Sequence, residues 1–217
     1  MIHGGIWGFE PAFLGLTVYA DPSQISLPVF LAQKGVDAWG ISYRWARIPV
    51  GFPDQSFMAD WGMDVAVSDA RIGLRIARVA RLLSGQGHRG LHVLRWSRGV
   101  WTTMALANAE ATEPPHRRDI AGLIPVDGSF KGDPENENWR LGNCVDFALY
   151  QDSLAAGAFG SDTSFLQLVG SPDVTSLIVR KRPPEEAALD IGHVDIFQAP
   201  ASRGLFWKPI LAWIRAH

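Results

Sequence analysis

The stretch that decides the fold runs Gly90-Leu-His-Val-Leu-Arg-Trp-Ser-Arg-Gly-Val-Trp-Thr-Thr-Met-Ala-Leu-Ala-Asn108. It begins with a short apolar run, Leu91 to Leu94, which predicts a β-strand, and it ends in a segment of helical periodicity. Ser97 stands between the two, in a tight turn, and Gly99 follows it. A serine at a helix N-terminus lies where free N–H groups stabilise negative charge, so Ser97 is a candidate nucleophile. A helix N-cap serine is the alternative interpretation.

Length and composition restrict the class of protein. The 217 residues fit a single domain over 1–217, with ample apolar material for a core. A hydrophobic share of 47% with 19% charged residues is typical of a globular protein. The net charge of −2 argues against nucleic acid as a main partner, because phosphate binding requires a clustered basic surface. No apolar run approaches the ~20 residues of a membrane span.

Predicted strands and helices alternate along the rest of the chain, which favours an α/β fold with a mostly parallel sheet. Ser26 is expected to cap a helix that presents Leu27, Phe30 and Leu31 to the core and ends at Gly35. The predicted strands besides the one before Ser97 cover residues 36–43, 120–126 and 165–169.

The clearest predicted helix covers residues 64–84. Its apolar residues recur at helical spacing and predict a buried face: Val65, Ile72, Ile76, Val79 and Leu83. Its arginines are expected on an opposite, solvated face: Arg71, Arg75, Arg78 and Arg81.

Two further motifs lie near the ends of the chain. His3-Gly4-Gly5 is followed by Ile6 and Trp7, and Asp190-Ile-Gly-His-Val-Asp-Ile-Phe197 places His193 before an apolar terminal helix. No spacing of histidine, cysteine and carboxylate residues suits a metal site.

These motifs occur in one order: His-Gly-Gly, then a serine between strand and helix, then Gly-His before the last helix. In this order they resemble the α/β-hydrolase superfamily, and most closely its esterase- or lipase-type members, over nearly the whole chain from His3. The resemblance implies a mostly parallel sheet flanked by helices, with a small cap insertion at about residues 129–165. It also implies that the early strands are missing, as in an N-terminally truncated member.

The resemblance implies a role for each motif. Ser97 is the nucleophile, on the sharp bend that such proteins form, and His193 is the general base. Backbone N–H groups of Arg98 and of the Gly5–Ile6 region form the oxyanion hole. The implied partner is a small-molecule carboxylic ester, and neither a metal nor an organic cofactor is required. The oligomeric state stays open.

Aromatic residues near these motifs and in the cap region are candidates for the walls of a substrate pocket, with a core position as the alternative for each. They are Trp7, Trp96, Trp139 and Phe147.

One residue departs from the usual pattern, because Arg95 stands where the Gly-x-Ser-x-Gly motif has its first glycine. An arginine there must turn its side chain away from a crowded bend, so replacing Arg95 by glycine is expected to raise activity or stability. The departure also favours a second interpretation, a catalytically impaired hydrolase-fold protein with a binding role only. A lyase or acyltransferase on the same scaffold is a third.

The acid of the triad has two candidates, each after a predicted strand between Ser97 and His193. Asp127 directly follows the strand 120–126, and Asp173 lies in the turn Gly170-Ser-Pro-Asp173. We assign the role to Asp127, because the interval from Asp173 to His193 leaves little room for a further helix and strand.

We therefore expect Asp127→Asn to lower turnover by orders of magnitude, because the histidine loses the acceptor that fixes its tautomer. Asp173→Asn is the matched control and should be nearly silent. Steady-state kinetics on one ester measures both variants, and the reverse pattern assigns the acid to Asp173.

Overall fold

A computed structural model describes residues 1–5, 8–14, 26–49, 52–87, 90–128, 137–157, 197 and 201–216. Within these ranges the α-helices are α1 (Leu27–Gln33), α2 (Met63–Leu83), α3 (Gly99–Ala111), α4 (Glu137–Ala155) and α5 (Lys208–Ala216). The strands are β1 (Leu91–Trp96) and β2 (Ile120–Val126). Short π-helical or 3-10 segments cover Glu10–Leu14, Arg44–Arg47, Ser56–Met58, Pro115–Arg117 and Arg203–Trp207. None of the helices in these ranges is long and apolar enough to cross a lipid bilayer.

Parallel pairing organises the sheet, as the alternation of strands and helices predicts. β1 and β2 are parallel, in a register that runs from Leu91 opposite Ile120 to Trp96 opposite Val126. Ile2 adds parallel bridges to both Arg95 and Ile41. The order across the sheet is therefore Ile41, Ile2, β1 and β2, and the predicted strand 36–43 contributes only the bridge at Ile41.

Hydrogen bonds hold the Ile2 segment in the middle of this order. The Ile2 N–H donates to Leu94 O at 3.0 Å, and the Trp96 N–H donates to Ile2 O at 3.3 Å. On the other side the Ile41 N–H donates to Met1 O at 3.1 Å. The first residues of the chain thus lie between β1 and Ile41.

The core has two clusters, because successive residues of a strand face opposite sides of the sheet. Leu94 packs with α1, α5 and Phe197, whereas Val93 packs with Ile2 and with the sheet-facing residues of α2 and α3. The first cluster confirms the apolar face predicted for α1. The Ser26 Oγ accepts a hydrogen bond from the Val29 N–H at 3.3 Å, as the predicted cap requires.

The prediction of the buried face of α2 is wrong. Four of the five apolar residues expected in the core are exposed, Ile72 by 53%, Ile76 by 59%, Val79 by 54% and Leu83 by 82%, whereas Val65 is half-buried. The face that packs on the sheet is built from Ala70, Leu74 and Ala77. Small residues let the helix approach closely: a Cβ on Gly73 would lie 2.3 Å from Ile41 Cδ1. Close approach, and not side-chain size, decides the orientation of this helix.

The prediction of a solvated arginine face on α2 is also wrong. Arg71 pairs with Glu110 and Glu113, and Arg78 pairs with Asp119. Arg81 pairs with Asp37 at 2.9 Å. These three arginine side chains are only 18–24% exposed, because they reach carboxylates at the end of α3, before β2 and beside the edge of the sheet. Arg75 alone keeps the expected exposure, at 59%.

This orientation of α2 gives a direct test with two adjacent residues. Ala77→Gln introduces a long polar side chain at a buried position, and we expect it to lower the free energy of unfolding by about 1–3 kcal/mol. Ile76→Gln is the matched control on the exposed face and should change it by less than about 0.5 kcal/mol. Urea unfolding measures both values. A larger loss of stability in Ile76→Gln than in Ala77→Gln would show that the apolar residues of α2 face the core.

Candidate functional site

Ser97 lies directly after β1 and just before α3, so the predicted strand, turn and helix are confirmed around it. Its φ of 55° is in the left-handed region, which side-chain-bearing residues rarely adopt. Two hydrogen bonds hold this bend: the Ser97 N–H donates to Val126 O at 3.0 Å, and the Val100 N–H donates to Ser97 O at 2.9 Å. The serine is therefore fixed in a strained conformation at the carboxyl end of a parallel strand.

Close backbone contacts surround the bend, and glycines make them possible. A Cβ on Gly4 would lie 2.9 Å from Ser97 Cβ, and one on Gly99 would lie 2.9 Å from His3 O. A Cβ on Gly128 would lie 2.5 Å from Ser97 O. The sequence motifs include Gly4 and Gly99 but give no sign of the requirement at Gly128, which arises from the pairing of β1 with β2.

The site lies where the order of the sheet reverses. From Ile2 the chain passes to one side, at Ile41, and then returns to the other side as β1. In open parallel sheets, ligands bind in the crevice outside the carboxyl ends of the strands at such a point. The His3–Gly5 segment and Ser97 extend from the two neighbouring strands at this point.

Two backbone N–H groups border the crevice. Arg98 precedes the first turn of α3, where N–H groups have no partner within the helix. Gly5 lies against it, since a Cβ on Gly5 would be 3.3 Å from Arg98 Cδ. In the described part of the chain neither N–H donates to another backbone group.

His3 links the edge of the sheet to this loop. Its ring is buried, and Nε2 accepts a hydrogen bond from the Tyr43 N–H at 3.1 Å. Because Nε2 accepts, the proton is on Nδ1, which donates to Gly4 O at 2.7 Å. The pKa of His3 is lowered to about 4, mainly by burial; the hydrogen bond to the Gly4 carbonyl and the charge of Glu10 oppose the shift, and the charge of Arg95 adds to it. His3 is therefore neutral at neutral pH and positions Gly4 beside Ser97.

Arg95 is fully buried, two residues before Ser97. Within the described ranges no group lies in hydrogen-bonding geometry with its Nε, Nη1 or Nη2. Burial lowers the pKa of Arg95 to about 10, and the Tyr43 hydroxyl partly opposes this shift. The side chain thus turns into the interior and stays charged at neutral pH.

The other predicted residues have different positions. Asp127 directly follows β2, just as Ser97 directly follows the neighbouring strand β1. The φ of Asp127 is 45°. Trp96 is a buried core residue, and its ring lies 5.6 Å from the ring of Phe197. Phe147 is 62% exposed on α4, which is the described part of the predicted cap.

Several predicted residues cannot be placed. Ile6, Trp7, Asp173 and His193 lie outside the described residues, as does the predicted strand 165–169. The side chain of Trp139, in α4, is also outside them. Among the residues that are described, no cluster of three or more histidine, cysteine or carboxylate side chains could hold a metal ion.

A groove of about 420 Å³ opens at the edge of the sheet, and it is separate from the Ser97 crevice. Ile41 and Tyr43 of the edge segment line it, together with Phe9 on one side and Ile72 and Ile76 of α2 on the other. Neither Ser97 nor Gly4 contributes to it. The groove also carries charged side chains, because Glu10, Arg44 and Asp69 are among the residues that line it.

Comparison with known proteins adds no family: no protein-family model, no curated protein and no solved structure matches this chain. The fold and the site define a mixed helix and sheet protein with parallel pairing and a strained serine at the carboxyl end of β1.

Because Arg95 is buried, we expect Arg95→Met to stabilise the protein more than the Arg95→Gly substitution that the sequence suggested. We expect Arg95→Met to raise the free energy of unfolding by about 1–4 kcal/mol, because an apolar side chain of similar length removes a buried charge without leaving a cavity. Arg95→Gly leaves a cavity and should gain less. Urea unfolding compares the two. A loss of several kcal/mol in Arg95→Met would reveal a partner for the guanidinium.

Proposed function

We propose that this protein is a serine hydrolase with an α/β-hydrolase fold that cleaves carboxylic esters. The observation that carries the proposal is the conformation of Ser97, at a φ of 55° between β1 and the N-terminus of α3, with Gly4 packed on its Cβ. A strained strand-to-helix bend presents a serine hydroxyl to a substrate in this way.

In the proposed reaction Ser97 Oγ attacks the ester carbonyl carbon while His193 accepts the hydroxyl proton. The C–O bond to the alcohol breaks, and the alcohol leaves with that proton. Water, deprotonated by His193, then attacks the acyl-enzyme, which releases the carboxylic acid and restores Ser97. The role of His193 rests on the Gly-His motif of the sequence.

The backbone supplies the electrostatic part of the proposal. The N–H groups of Arg98 and Gly5 lie on the two sides of the crevice and donate to the oxyanion as the tetrahedral intermediate forms. One such donor contributes about 3 kcal/mol to the barrier. Asp127 follows the strand next to β1 and accepts the second N–H of His193 in this mechanism.

A hydrolase-fold protein with a binding role only is the competing function. The buried charge of Arg95 favours it, because burial of a cation so close to the bend destabilises the segment that must hold Ser97, and the Tyr43 hydroxyl opposes this only in part. The two functions differ in whether Ser97 reacts.

We expect a fluorophosphonate probe to label the wild-type protein at Ser97, and p-nitrophenyl esters of short acids to give a burst of p-nitrophenol. Ser97→Ala should lose both signals with an unchanged melting curve, because only the nucleophile is removed. Peptide mass spectrometry locates the adduct.

Ser42→Ala is the matched control. Ser42 Oγ accepts a hydrogen bond from the Phe9 N–H at 3.0 Å and lines the edge groove, so this variant should keep full labelling. Absence of label and burst in the wild type contradicts the hydrolase, and an adduct on Ser42 contradicts the assignment of Ser97.

A further inference from the structure

Six arginines of the described chain form ion pairs with carboxylates, and Arg98 is among those that do not. The ion pairs in the described ranges engage Arg44, Arg47, Arg71, Arg75, Arg78 and Arg81. Arg98 is exposed, and no carboxylate among the described residues pairs with it. Its guanidinium belongs to the residue that directly follows Ser97.

The side chain of Arg98 lies over the loop that borders the crevice. Its stem covers Gly5, where an added Cβ would be 3.3 Å from Arg98 Cδ and 3.7 Å from Arg98 Cβ. Ser97 contacts the preceding residue, Gly4, in the same manner. The hydroxyl of Ser97 and the stem of Arg98 thus lie against successive residues of one loop.

An aromatic stack holds the guanidinium in place. Arg98 Cζ lies 5.9 Å from the ring centroid of Trp45, and Trp45 is stacked on Tyr43 at 4.0 Å with an interplanar angle of 11°. Tyr43 is itself buried, and its hydroxyl is 3.1 Å from Thr102 Oγ1 of α3. A guanidinium on a fixed aromatic surface loses less conformational freedom when it binds a ligand than a free side chain does.

We propose that Arg98 is a specificity-determining residue that binds an anionic group of the substrate, so that the protein acts on esters which carry a second, charged group such as a carboxylate. The inference rests on the proposed hydrolase function and names its substrate class. A planar guanidinium binds a carboxylate through two parallel hydrogen bonds, and its exposure means that little desolvation opposes this contact. The N-terminus of α3 adds attraction of the same sign.

The test compares charged esters with uncharged counterparts. One pair is mono-p-nitrophenyl adipate and its uncharged isostere, in which an isopropyl group replaces the carboxylate. The other pair is p-acetoxyphenylacetic acid, which carries its charge on the alcohol side, and the primary amide of that acid. The measured quantity is the ratio of kcat/KM values within each pair, which cancels any effect of a substitution on the backbone oxyanion hole.

We expect the wild type to prefer the charged ester in at least one pair. Arg98→Gln should lower the ratio of kcat/KM for the charged ester to that for the uncharged one about tenfold, which is the effect of losing one hydrogen bond to a charged group at an exposed site. Arg98→Lys should restore part of the preference. Arg117→Gln removes an equal charge in the Pro115–Arg117 segment, beyond the other end of α3, and should leave the ratio unchanged. Added salt should reduce the preference of the wild type.

Two results overturn the inference in different ways. If all four esters are hydrolysed and Arg98→Gln leaves both kcat/KM ratios unchanged, Arg98 has no specificity role and the hydrolase function stands. Absence of hydrolysis of every ester and of probe labelling removes the hydrolase function and the inference with it.

Discussion

The insertion of Ile2 between β1 and Ile41 is the constraint on which the site depends. Its hydrogen bonds to Leu94 and Trp96 fix the first residues of the chain parallel to β1. Parallel strands end at the same edge of a sheet, so His3 and Gly4 emerge beside Ser97 and not at the opposite edge. Without this pairing the serine keeps its bend but loses the loop that faces it.

Burial lowers the pKa of both buried basic groups near Ser97, but only His3 becomes neutral, because the ordinary pKa of arginine is far higher. His3 has its pKa lowered to about 4, and as a neutral ring it can accept from Tyr43 and donate to Gly4 at once. Arg95 has its pKa lowered to about 10 and stays a cation in the interior. Arg98 is exposed. A neutral hydrogen-bonding side chain is therefore buried on the segment that packs against Ser97, and an exposed arginine directly follows Ser97 in the chain.

The ion pairs of α2 connect parts of the chain that are far apart in sequence. Arg71 reaches the end of α3 and Arg78 reaches Asp119 just before β2, so α2 is anchored at the amino end of the sheet, away from Ser97. Asp119 and Glu110 are buried, and these contacts offset the desolvation of their carboxylates. The strained backbone at Ser97 and Asp127 lies at the opposite, carboxyl end of the strands.

The sequence by itself determined the local elements: the strand, turn and helix around Ser97, the strand 120–126, and the cap at Ser26. These depend on periodicity and capping, which act over a few residues. Only the tertiary structure decided which face of α2 turns inward, that Trp96 is a core residue, and that Arg98 stacks on Trp45. Helical spacing shows that Ile72, Ile76 and Val79 share a face, but the inward face is set by the close approach of Gly73 to Ile41 and by the carboxylates that the arginines reach. Those partners come from distant segments, and no local pattern encodes their distance.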